Sequence, residues 1–225
     1  MNAMVIVEPR NHPYLKQVCE NFDKNMPPDW DLYVVHGKSN ATFAKEAVSN
    51  IQRNKIFIPL RVDNLTADTY NQLFKQLSFW NKIKAENILV FQTDTALCAN
   101  SKFKIKNFMK YDYIGCSSNN AFRKKTVWDE KYKDSFFYGI GGLSFRKNSF
   151  QKKCILQHPN IDKYYPEDVF YSNCVAKSKN RPRSIRVLQN FCSQSHGFKS
   201  FGSHKTKKIN PSFYEFCPES KFQSI

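Results

Sequence analysis

Long apolar runs are missing from this chain, and none approaches the ~20 residues that a membrane-spanning helix needs. A hydrophobic leader is also missing, because the apolar residues Met4–Val7 are followed at once by Glu8 and Arg10. The sequence therefore predicts a cytoplasmic protein with no transmembrane segment.

Paired cysteine motifs are absent as well. The chain has 7 cysteines, an odd number, with no CxxC spacing, and most lie in apolar segments: Cys19, Cys98, Cys154, Cys174 and Cys192. This pattern is typical of cysteines that act as small hydrophobic residues in a reducing compartment, rather than of a disulfide framework.

Glycine is scarce, with 7 residues among 225, so the cluster of Gly139, Gly141 and Gly142 is informative. No GKS or GKT follows this cluster and it does not follow the first strand, which excludes a P-loop and the usual dinucleotide-binding fingerprint. Paired glycines let a backbone approach a ligand closely or adopt φ > 0. A tight turn is the alternative interpretation.

Acidic residues are few relative to basic ones: 19 Asp and Glu against 35 Lys and Arg give a formal net charge of +16. A lysine-rich coding bias, which would also raise asparagine, is one explanation. Attraction to a phosphate-bearing ligand or to an anionic membrane surface is another. Because no nucleic-acid-binding motif is visible, we predict no specific nucleic-acid partner.

Hydrophobic residues make up 41% of the chain and aromatic residues 15%, which excludes a disordered protein. Strands and helices alternate over the first ~95 residues, a pattern that predicts an α/β fold with a mostly parallel, doubly wound sheet. The expected elements are a strand at Met4–Val7, a helix at 12–25 capped by Asn11, a strand at Leu32–Val35, a helix at Ala41–Arg53, a strand at Lys55–Leu60, a helix capped by Thr66 with a buried aromatic stripe, and a strand at 88–92.

The second half is less regular and contains no linker, so one domain is expected. The predicted elements are a helix at Phe103–Met109, a strand at Tyr111–Gly115, a long loop at 117–136, and helices at Ser144–Cys154, Glu167–Ala176 and Ile185–Phe191. Long loops of this kind are often lids.

The strand at 88–92 ends in the acidic residue Asp94. Ligands of open α/β sheets bind outside the carboxyl ends of the strands, and a hard divalent cation prefers oxygen ligands shared with substrate phosphates. Asp94 is therefore a candidate metal ligand, and an N-cap for a segment near Ala96 is the alternative. His204 can complete a mixed carboxylate and imidazole site, beside Lys205 as a charge for a diphosphate.

Glu167 and Asp168 form an adjacent pair at the start of a predicted helix. Favourable placement of acids near a helix N-terminus is one explanation. The other is a general base that takes the proton of an attacking hydroxyl. Because adjacent helical residues diverge by about 100°, one of the two would be catalytic and the other would bind or orient.

Taken in order, these segments resemble a glycosyltransferase-like family of unknown function (DUF5672-type) found in large DNA viruses, microbes and fungi. The resemblance covers nearly the whole chain and rests on Val7-Glu8-Pro9-Arg10, Phe79-Trp80, Phe91-Gln92-Thr93-Asp94, Tyr111-Asp112-Tyr113-Ile114-Gly115, Gly141-Gly142-Leu143-Ser144, Glu167-Asp168-Val169-Phe170 and Gly202-Ser203-His204-Lys205.

The resemblance implies a single GT-A-type domain over residues 1–225, with a Rossmann-like nucleotide-binding half at about 1–115 and an irregular acceptor and catalytic half at about 116–225. Such enzymes move a sugar from a nucleotide diphosphate, usually with Mn²⁺ or Mg²⁺. The implied partners are a UDP-sugar donor and a glycan, lipid-linked or protein acceptor, with peripheral membrane contact as a further expectation. A viral member would work in the host cytoplasm.

The resemblance also implies roles for single residues. The D-x-D metal motif of the class is written Gln92-Thr93-Asp94 here, so Asp94 would bind the metal with His204, and Gln92 would hydrogen-bond the ribose or donor sugar. Asp168 resembles the base of inverting enzymes. The nucleotide would contact residues at the ends of the first and third strands, the glycine pair and a lysine: Val7, Glu8, Arg10, Arg61, Asp63, Gly141, Gly142 and Lys205.

The leading prediction is thus an inverting, metal-assisted glycosyltransferase. A nucleotidyltransferase would require further acids near Asp94 for a two-metal clamp, and none is evident. A non-catalytic basic binding protein, or a degenerate transferase that binds a nucleotide or glycan without turnover, is the other alternative.

Overall fold

A computed structural model of the protein describes residues 1–117, 137–162, 165–194, 197–205 and 211–224. Residues 118–136, which make up nearly all of the loop expected at 117–136, lie outside this part of the chain. Within the described residues, no helix is both long and apolar enough to cross a membrane.

A six-stranded mixed sheet forms the centre of the molecule, in the order β3-β2-β1-β4-β7-β6. The four strands from the first half of the chain are mutually parallel, and β7 runs antiparallel to both β4 and β6. This α/β fold with a mainly parallel central sheet confirms the predicted fold class. The strands are β1 (Asn2–Glu8), β2 (Trp30–His36), β3 (Lys55–Pro59), β4 (Asn87–Phe91), β6 (Tyr113–Cys116) and β7 (Ile140–Lys147).

Helices cover both faces of this sheet. They are α1 (Leu15–Asn25), α2 (Ala41–Ala47), α3 (Ala67–Phe74), α4 (Leu77–Lys82), α5 (Asn148–Gln157), α6 (Glu167–Ala176), α7 (Ile185–Phe191) and α8 (Pro211–Phe216). Alternate residues of β1 enter different cores: Met4 and Ile6 pack on the side of α1, whereas Val5 and Val7 pack on the side of α3 and α4. Burial on both faces explains the continuous apolar run of β1.

The aromatic stripe after Thr66 belongs to the core on the α3 and α4 side, as predicted, with Phe74 and Trp80 fully buried. The helix breaks between α3 and α4 because the Phe74 carbonyl accepts hydrogen bonds from Trp80 Nε1 (2.8 Å) and from the Tyr171 hydroxyl (2.6 Å). Thr66 does cap α3, accepting a bond from the Thr69 amide.

A second sheet of three short strands lies beyond the carboxyl end of β4, in the order β5-β9-β8. These strands are β5 (Thr95–Leu97), β8 (Cys192–Ser193) and β9 (Gly202–His204). Antiparallel pairing of β5 with β9 sets Thr95 opposite His204. The small sheet therefore carries His204 to the end of β4, and because residues 95–97 form a strand, Asp94 is not a helix N-cap.

Several predicted helix boundaries are wrong for local reasons. The first helix begins at Leu15, not at residue 12. His12 rather than Asn11 accepts hydrogen bonds at its start, since the His12 carbonyl accepts from the Leu15 amide (3.1 Å) and the His12 ring Nδ1 accepts from the Tyr14 amide (3.2 Å). The second helix ends at Ala47 instead of Arg53, where the Ser49 hydroxyl bonds the Glu46 carbonyl (2.8 Å) and competes with helical bonding.

The segment predicted as a helix at Ser144–Cys154 is instead the end of β7 followed by α5. Leu143 and Phe145 point into one core, while Ser144 and Arg146 point to the other side, which is the period of a strand. The predicted helix at Phe103–Met109 reduces to one 3₁₀ turn at Ile105–Asn107.

Two disulfides join Cys98 to Cys217 and Cys116 to Cys192, with Cα–Cα distances of 4.8 Å and 4.5 Å. The prediction of uniformly reduced cysteines is therefore wrong. It failed because disulfide partners here lie 119 and 76 residues apart, and sequence spacing does not reveal such pairs. Disulfides persist mainly in oxidising environments, so the cysteine pattern no longer supports a cytoplasmic location.

Candidate active site

A cavity of about 430 Å³ opens at the carboxyl ends of β1 and β4. It is bordered by the start of α3, the start of β7, the start of α6 and the end of β9. Most of the residues singled out in the sequence line it: Val7, Glu8, Arg10, Gln92, Asp94, Gly141, Gly142, Glu167, Asp168, His204 and Lys205.

Arg61 and Asp63 are the exceptions, since neither lines this cavity. Both are exposed, and the Asp63 carboxylate accepts a hydrogen bond from the Ser39 amide (2.7 Å). Asp63 therefore joins two surface loops, and the structure does not bring this pair together with the other predicted site residues.

Asp94 and His204 lie side by side in the cavity wall. Asp94 Oδ1 and His204 Nε2 lie 3.4 Å apart, and both atoms are buried without a hydrogen-bond partner among the described residues. His204 Nδ1 contacts Gln194 Oε1 (3.1 Å). This contact holds the ring so that Nε2 faces Asp94.

The charge balance of Asp94 keeps it ionised. Burial works against the charged form, but the contact with His204 and the positive charge of Lys205 outweigh it, and the pKa of Asp94 lies below its ordinary value. An ionised carboxylate oxygen and an imidazole lone pair are the donor atoms that a divalent cation such as Mn²⁺ takes.

The glycine pair makes room for site side chains. A Cβ on Gly142 would lie 2.4 Å from His204 Nε2 and 2.7 Å from Gln92 Oε1, and one on Gly141 would lie 1.9 Å from Glu167 Oε1. Neither glycine has φ > 0, which among the three occurs only at Gly139 (105°). The close approach expected of the pair is thus to protein side chains.

Glu167 is tied to Arg146. Two hydrogen bonds of 2.7 and 2.9 Å join the two side chains, and the guanidinium is completely buried. Four aromatic rings surround it at 5.0–5.8 Å: Phe74, Trp80, Tyr113 and Tyr171. Both carboxylate oxygens of Glu167 are therefore occupied, which leaves its neighbour as the available acid.

Asp168 has a different environment from Glu167. Its carboxylate accepts from the amides of Val169 (2.8 Å) and Gly141 (3.4 Å) and has no cationic partner in contact among the described residues. Burial, and then the negative charge of Glu167, raise the pKa of Asp168 to about 7. A carboxyl group with a pKa near neutrality suits proton transfer in a cavity.

Glu8 and Arg10 form another part of the cavity wall. Glu8 is buried, and its carboxylate accepts two hydrogen bonds from the half-exposed Arg10 guanidinium (2.8 and 2.9 Å). The side chain of Asn40 holds this loop by donating to the backbone carbonyls of Glu8 (3.0 Å) and Arg10 (2.8 Å). The wall is therefore a fixed polar surface that combines an anion with a cation.

Lys205 adopts a left-handed backbone conformation with φ of 52°, the only non-glycine residue to do so in the described chain. Its amide donates to the Asp94 carbonyl (3.0 Å). This strain is typical of functional sites, and here it couples a lysine to the proposed metal ligand.

Sequence reasoning missed several residues of this cavity, including His12, Tyr70 and Asn71. Asn71 accepts a hydrogen bond from the Glu167 amide (3.1 Å) at the first turn of α6, where Pro166 offers no side-chain cap. Proline before Glu167 was the signal in the sequence that the first amides of α6 need an acceptor from elsewhere in the chain. Burial lowers the pKa of His12, which favours its neutral form.

The described residues contain no group of three or more His, Cys, Asp and Glu side chains that could hold a metal. Asp94 and His204 thus fit a cation only if a ligand supplies further oxygens. That is the ordinary situation for Mg²⁺ at a phosphate-binding site.

A sequence model described as "Protein of unknown function (DUF5672)" matches residues 57–208. The chain belongs to this family. A comparison with curated proteins gives no match.

Solved structures with folds similar to that of this DUF5672 chain include two whose titles name WbbM and TarS. A structure titled "WbbM bifunctional glycosytransferase apo structure" has a TM-score of 0.56 and 9% identity, over 99% of this chain and 51% of that one. A structure titled "Crystal structure of S. aureus TarS 1-349" has a TM-score of 0.50 and 13% identity, over 78% and 55%. The chain thus spans about half the length of these structures, and at such identities the likeness shows a shared fold.

Proposed function

We propose that this DUF5672 protein is an inverting, metal-assisted glycosyltransferase of the GT-A type. It would transfer a sugar from a nucleotide diphosphate donor of the UDP type to an acceptor hydroxyl. The observation that carries the proposal is the shared cavity of an Asp94–His204 pair and of Asp168, a carboxyl group with a pKa of about 7. The fold shared with WbbM, titled a bifunctional glycosyltransferase, supports it.

The donor would lie along the carboxyl ends of β1 and β4. Val7, Glu8 and Arg10 would contact the base and ribose, because they line the cavity at the end of β1 and Arg10 keeps a half-exposed guanidinium there. The Gln92 amide, beside Gly142, would hydrogen-bond the ribose or donor sugar. A neutral amide can both donate and accept, which suits hydroxyl groups.

Asp94 and His204 would hold Mn²⁺ or Mg²⁺, and the bound cation would neutralise the charge that develops on the departing diphosphate. Two unpartnered, buried ligand atoms 3.4 Å apart support this assignment. Lys205 would add a second positive charge at the same end of the cavity.

Asp168 would act as the base. Its carboxylate would take the proton of the acceptor hydroxyl as the oxygen attacks the anomeric carbon of the donor. Glu167 would orient and tune this base, since both of its oxygens are bound to Arg146. In other active sites, too, two neighbouring carboxyl groups in different environments take different catalytic roles.

A degenerate transferase is the second candidate. Gln92 stands where the metal motif would have its first acid, and among the described residues no group of three or more His, Cys, Asp and Glu side chains could hold a metal. A protein of this kind would bind a nucleotide sugar without turnover.

The test is release of nucleoside diphosphate from a panel of nucleotide sugars, with Mn²⁺ and a mixed set of acceptor saccharides. General-base catalysis contributes about 10²–10⁴-fold, so Asp168→Asn should lower turnover by about that factor while donor affinity is kept. Near-parental turnover in Asp168→Asn would refute Asp168 as the base. Donor binding with no turnover in the parent protein would favour the degenerate transferase.

A further inference from the structure

The net charge is distributed very unevenly along the chain. Residues 1–94 contain 11 Lys and Arg and 10 Asp and Glu, a net charge of +1, whereas residues 95–225 contain 24 against 9, a net charge of +15. A coding bias toward lysine would raise the charge of both parts. The asymmetry therefore points to a partner for the second part.

Two stretches of the second part lack acids altogether. Residues 95–111 contain four lysines, at 102, 104, 106 and 110, and all four are exposed. Residues 169–214 contain nine Lys and Arg and no Asp or Glu. Exposed positive side chains with no acid between them in the sequence raise the positive potential of the surface on which they lie.

Asp112, the acid that directly follows the first stretch, joins it to the second by hydrogen bonds. The Asp112 amide donates to the Asn180 carbonyl (3.2 Å), and the Asp112 carboxylate accepts from the side chains of Ser178 and Asn180. The loop after α6, which carries Lys179, Arg181 and Arg183, therefore lies beside Lys110. We call the surface formed by Lys110, Lys179, Arg183 and Arg186 the basic face.

The two arginines of the basic face form no ion pairs among the described residues. Within the described part of the chain, Arg183 and Arg186 have no carboxylate partner, and Arg183 makes only a long bond to the Lys179 carbonyl (3.4 Å). Both guanidinium groups are exposed. They are therefore available to an external anion.

An exposed aliphatic side chain accompanies these cations. Ile185 lies between Arg183 and Arg186 at the start of α7 and is 38% exposed. Phosphates of a nucleic acid offer nothing to an exposed aliphatic group. The boundary between lipid headgroups and acyl chains accepts both cations and apolar side chains.

We propose that the basic face docks this protein on a membrane surface rich in anionic lipid headgroups. Arg183 and Arg186 would approach the phosphates while Ile185 enters the headgroup boundary. The binding does not depend on the proposed transfer reaction. If that reaction holds, docking would bring the acceptor half to the membrane, where a lipid-linked acceptor is found.

Co-sedimentation of the full chain with vesicles tests the proposal. Phosphatidylcholine vesicles are compared with vesicles containing phosphatidylserine at about a third of the lipid, at low and high NaCl. The protein should bind the anionic vesicles and be released by salt, because such attraction falls off within a Debye length.

Matched variants locate the surface. Each basic side chain near an anionic membrane contributes about 1 kcal/mol, about a fivefold factor, so Arg183→Gln with Arg186→Gln should lower the vesicle partition coefficient about 25-fold. Ile185→Ser should lower it further. Lys82→Gln with Lys84→Gln removes two exposed lysines from the neutral part and should leave binding unchanged.

Absence of binding to anionic vesicles at low salt would overturn the proposal, as would equal loss in the Lys82 and Lys84 control. Binding to duplex DNA or RNA without vesicle binding would identify a nucleic acid as the partner and also overturn it. Donor binding, measured separately by thermal stabilisation, reports on the transfer reaction alone, so failure of one proposal is distinguishable from failure of the other.

Discussion

Two adjacent carboxylates, Glu167 and Asp168, show how environment divides roles at the scale of single residues. Glu167 is held at both oxygens by the buried Arg146, while Asp168 accepts only backbone amides. The sequence predicted the pair and the division of labour between its members. It could not name the partner of Glu167, because Arg146 lies 21 positions earlier on a strand that was expected to be helical.

The raised pKa of Asp168 has a consequence for stability. In the unfolded chain the group titrates near 3.8 and in the folded protein near 7, so the folded state holds a proton that the unfolded state has lost between these values. Stability from this group is present at low pH and declines as the pH rises toward 7. Asparagine has no charge to lose solvation, so Asp168→Asn should be more stable than the parent at pH 8, on the order of 4 kcal/mol.

Urea unfolding of both proteins at pH 5 and pH 8 measures this difference. The stability gain of Asp168→Asn should be larger at pH 8. A difference that does not change with pH would show that Asp168 titrates normally. A gain in stability combined with the loss of turnover would be the expected signature of a functional residue.

Gly142 is predicted to be essential for the position of His204. A Cβ there would lie 2.4 Å from His204 Nε2, so Gly142→Ala should move the imidazole, cost about 1–3 kcal/mol of stability, and lower Mn²⁺-dependent donor binding at least about tenfold. Calorimetric titration of donor with Mn²⁺ measures the effect.

Ser203→Ala is the matched control for Gly142→Ala. It removes a buried hydroxyl with no hydrogen-bond partner among the described residues, one position before His204. Its donor affinity should equal that of the parent. Retention of full Mn²⁺-dependent binding by Gly142→Ala would contradict the placement of His204 in the metal site.

At the scale of elements, clearly bounded segments could be predicted. The bounds of α6 and α7 agree with the sequence, and β1 to β4, which are short apolar runs with polar residues near their ends, agree within two residues. The β7 strand was missed since its alternation of Leu143 and Phe145 with Ser144 and Arg146 is masked by a buried charge. Strands β5, β8 and β9 are two or three residues long and carry no period at all.

The disulfide between Cys98 and Cys217 connects two elements and should stabilise the fold. It fastens the turn after α8 to the end of β5 across 119 residues. Closing a loop of this length restricts the unfolded chain, so Cys98→Ala with Cys217→Ala should cost about 2–4 kcal/mol in the free energy of unfolding. The difference should vanish when both proteins are unfolded in a thiol reductant.

Peptide mapping after alkylation without reductant checks the pairing directly. It should recover the Cys98–Cys217 and Cys116–Cys192 cross-links and leave Cys19 alkylated. Free thiols at Cys98 and Cys217 in the purified protein would contradict the pairing.

At the scale of the whole molecule, a parallel sheet and a small antiparallel sheet together create the cavity. The parallel sheet supplies Glu8 and Asp94 from the ends of neighbouring strands, and the small sheet returns His204 from 110 positions further along the chain. The parallel sheet followed from strand and helix alternation. The residue types alone suggested His204 as a partner of Asp94, and the family resemblance supported the pairing, because long-range contacts leave no local pattern.

The central claim is that this cavity binds a nucleotide diphosphate through a metal. Thermal stabilisation by a panel of nucleotides and nucleotide sugars, with and without Mn²⁺, tests it most directly, since a ligand at about 100 times its Kd adds about 2.7 kcal/mol to the native state. We predict a rise in Tm with UDP-type ligands only when Mn²⁺ is present, and loss of that rise in Asp94→Ala. An unchanged Tm with every nucleotide, or an equal rise in Asp94→Ala, would contradict the claim.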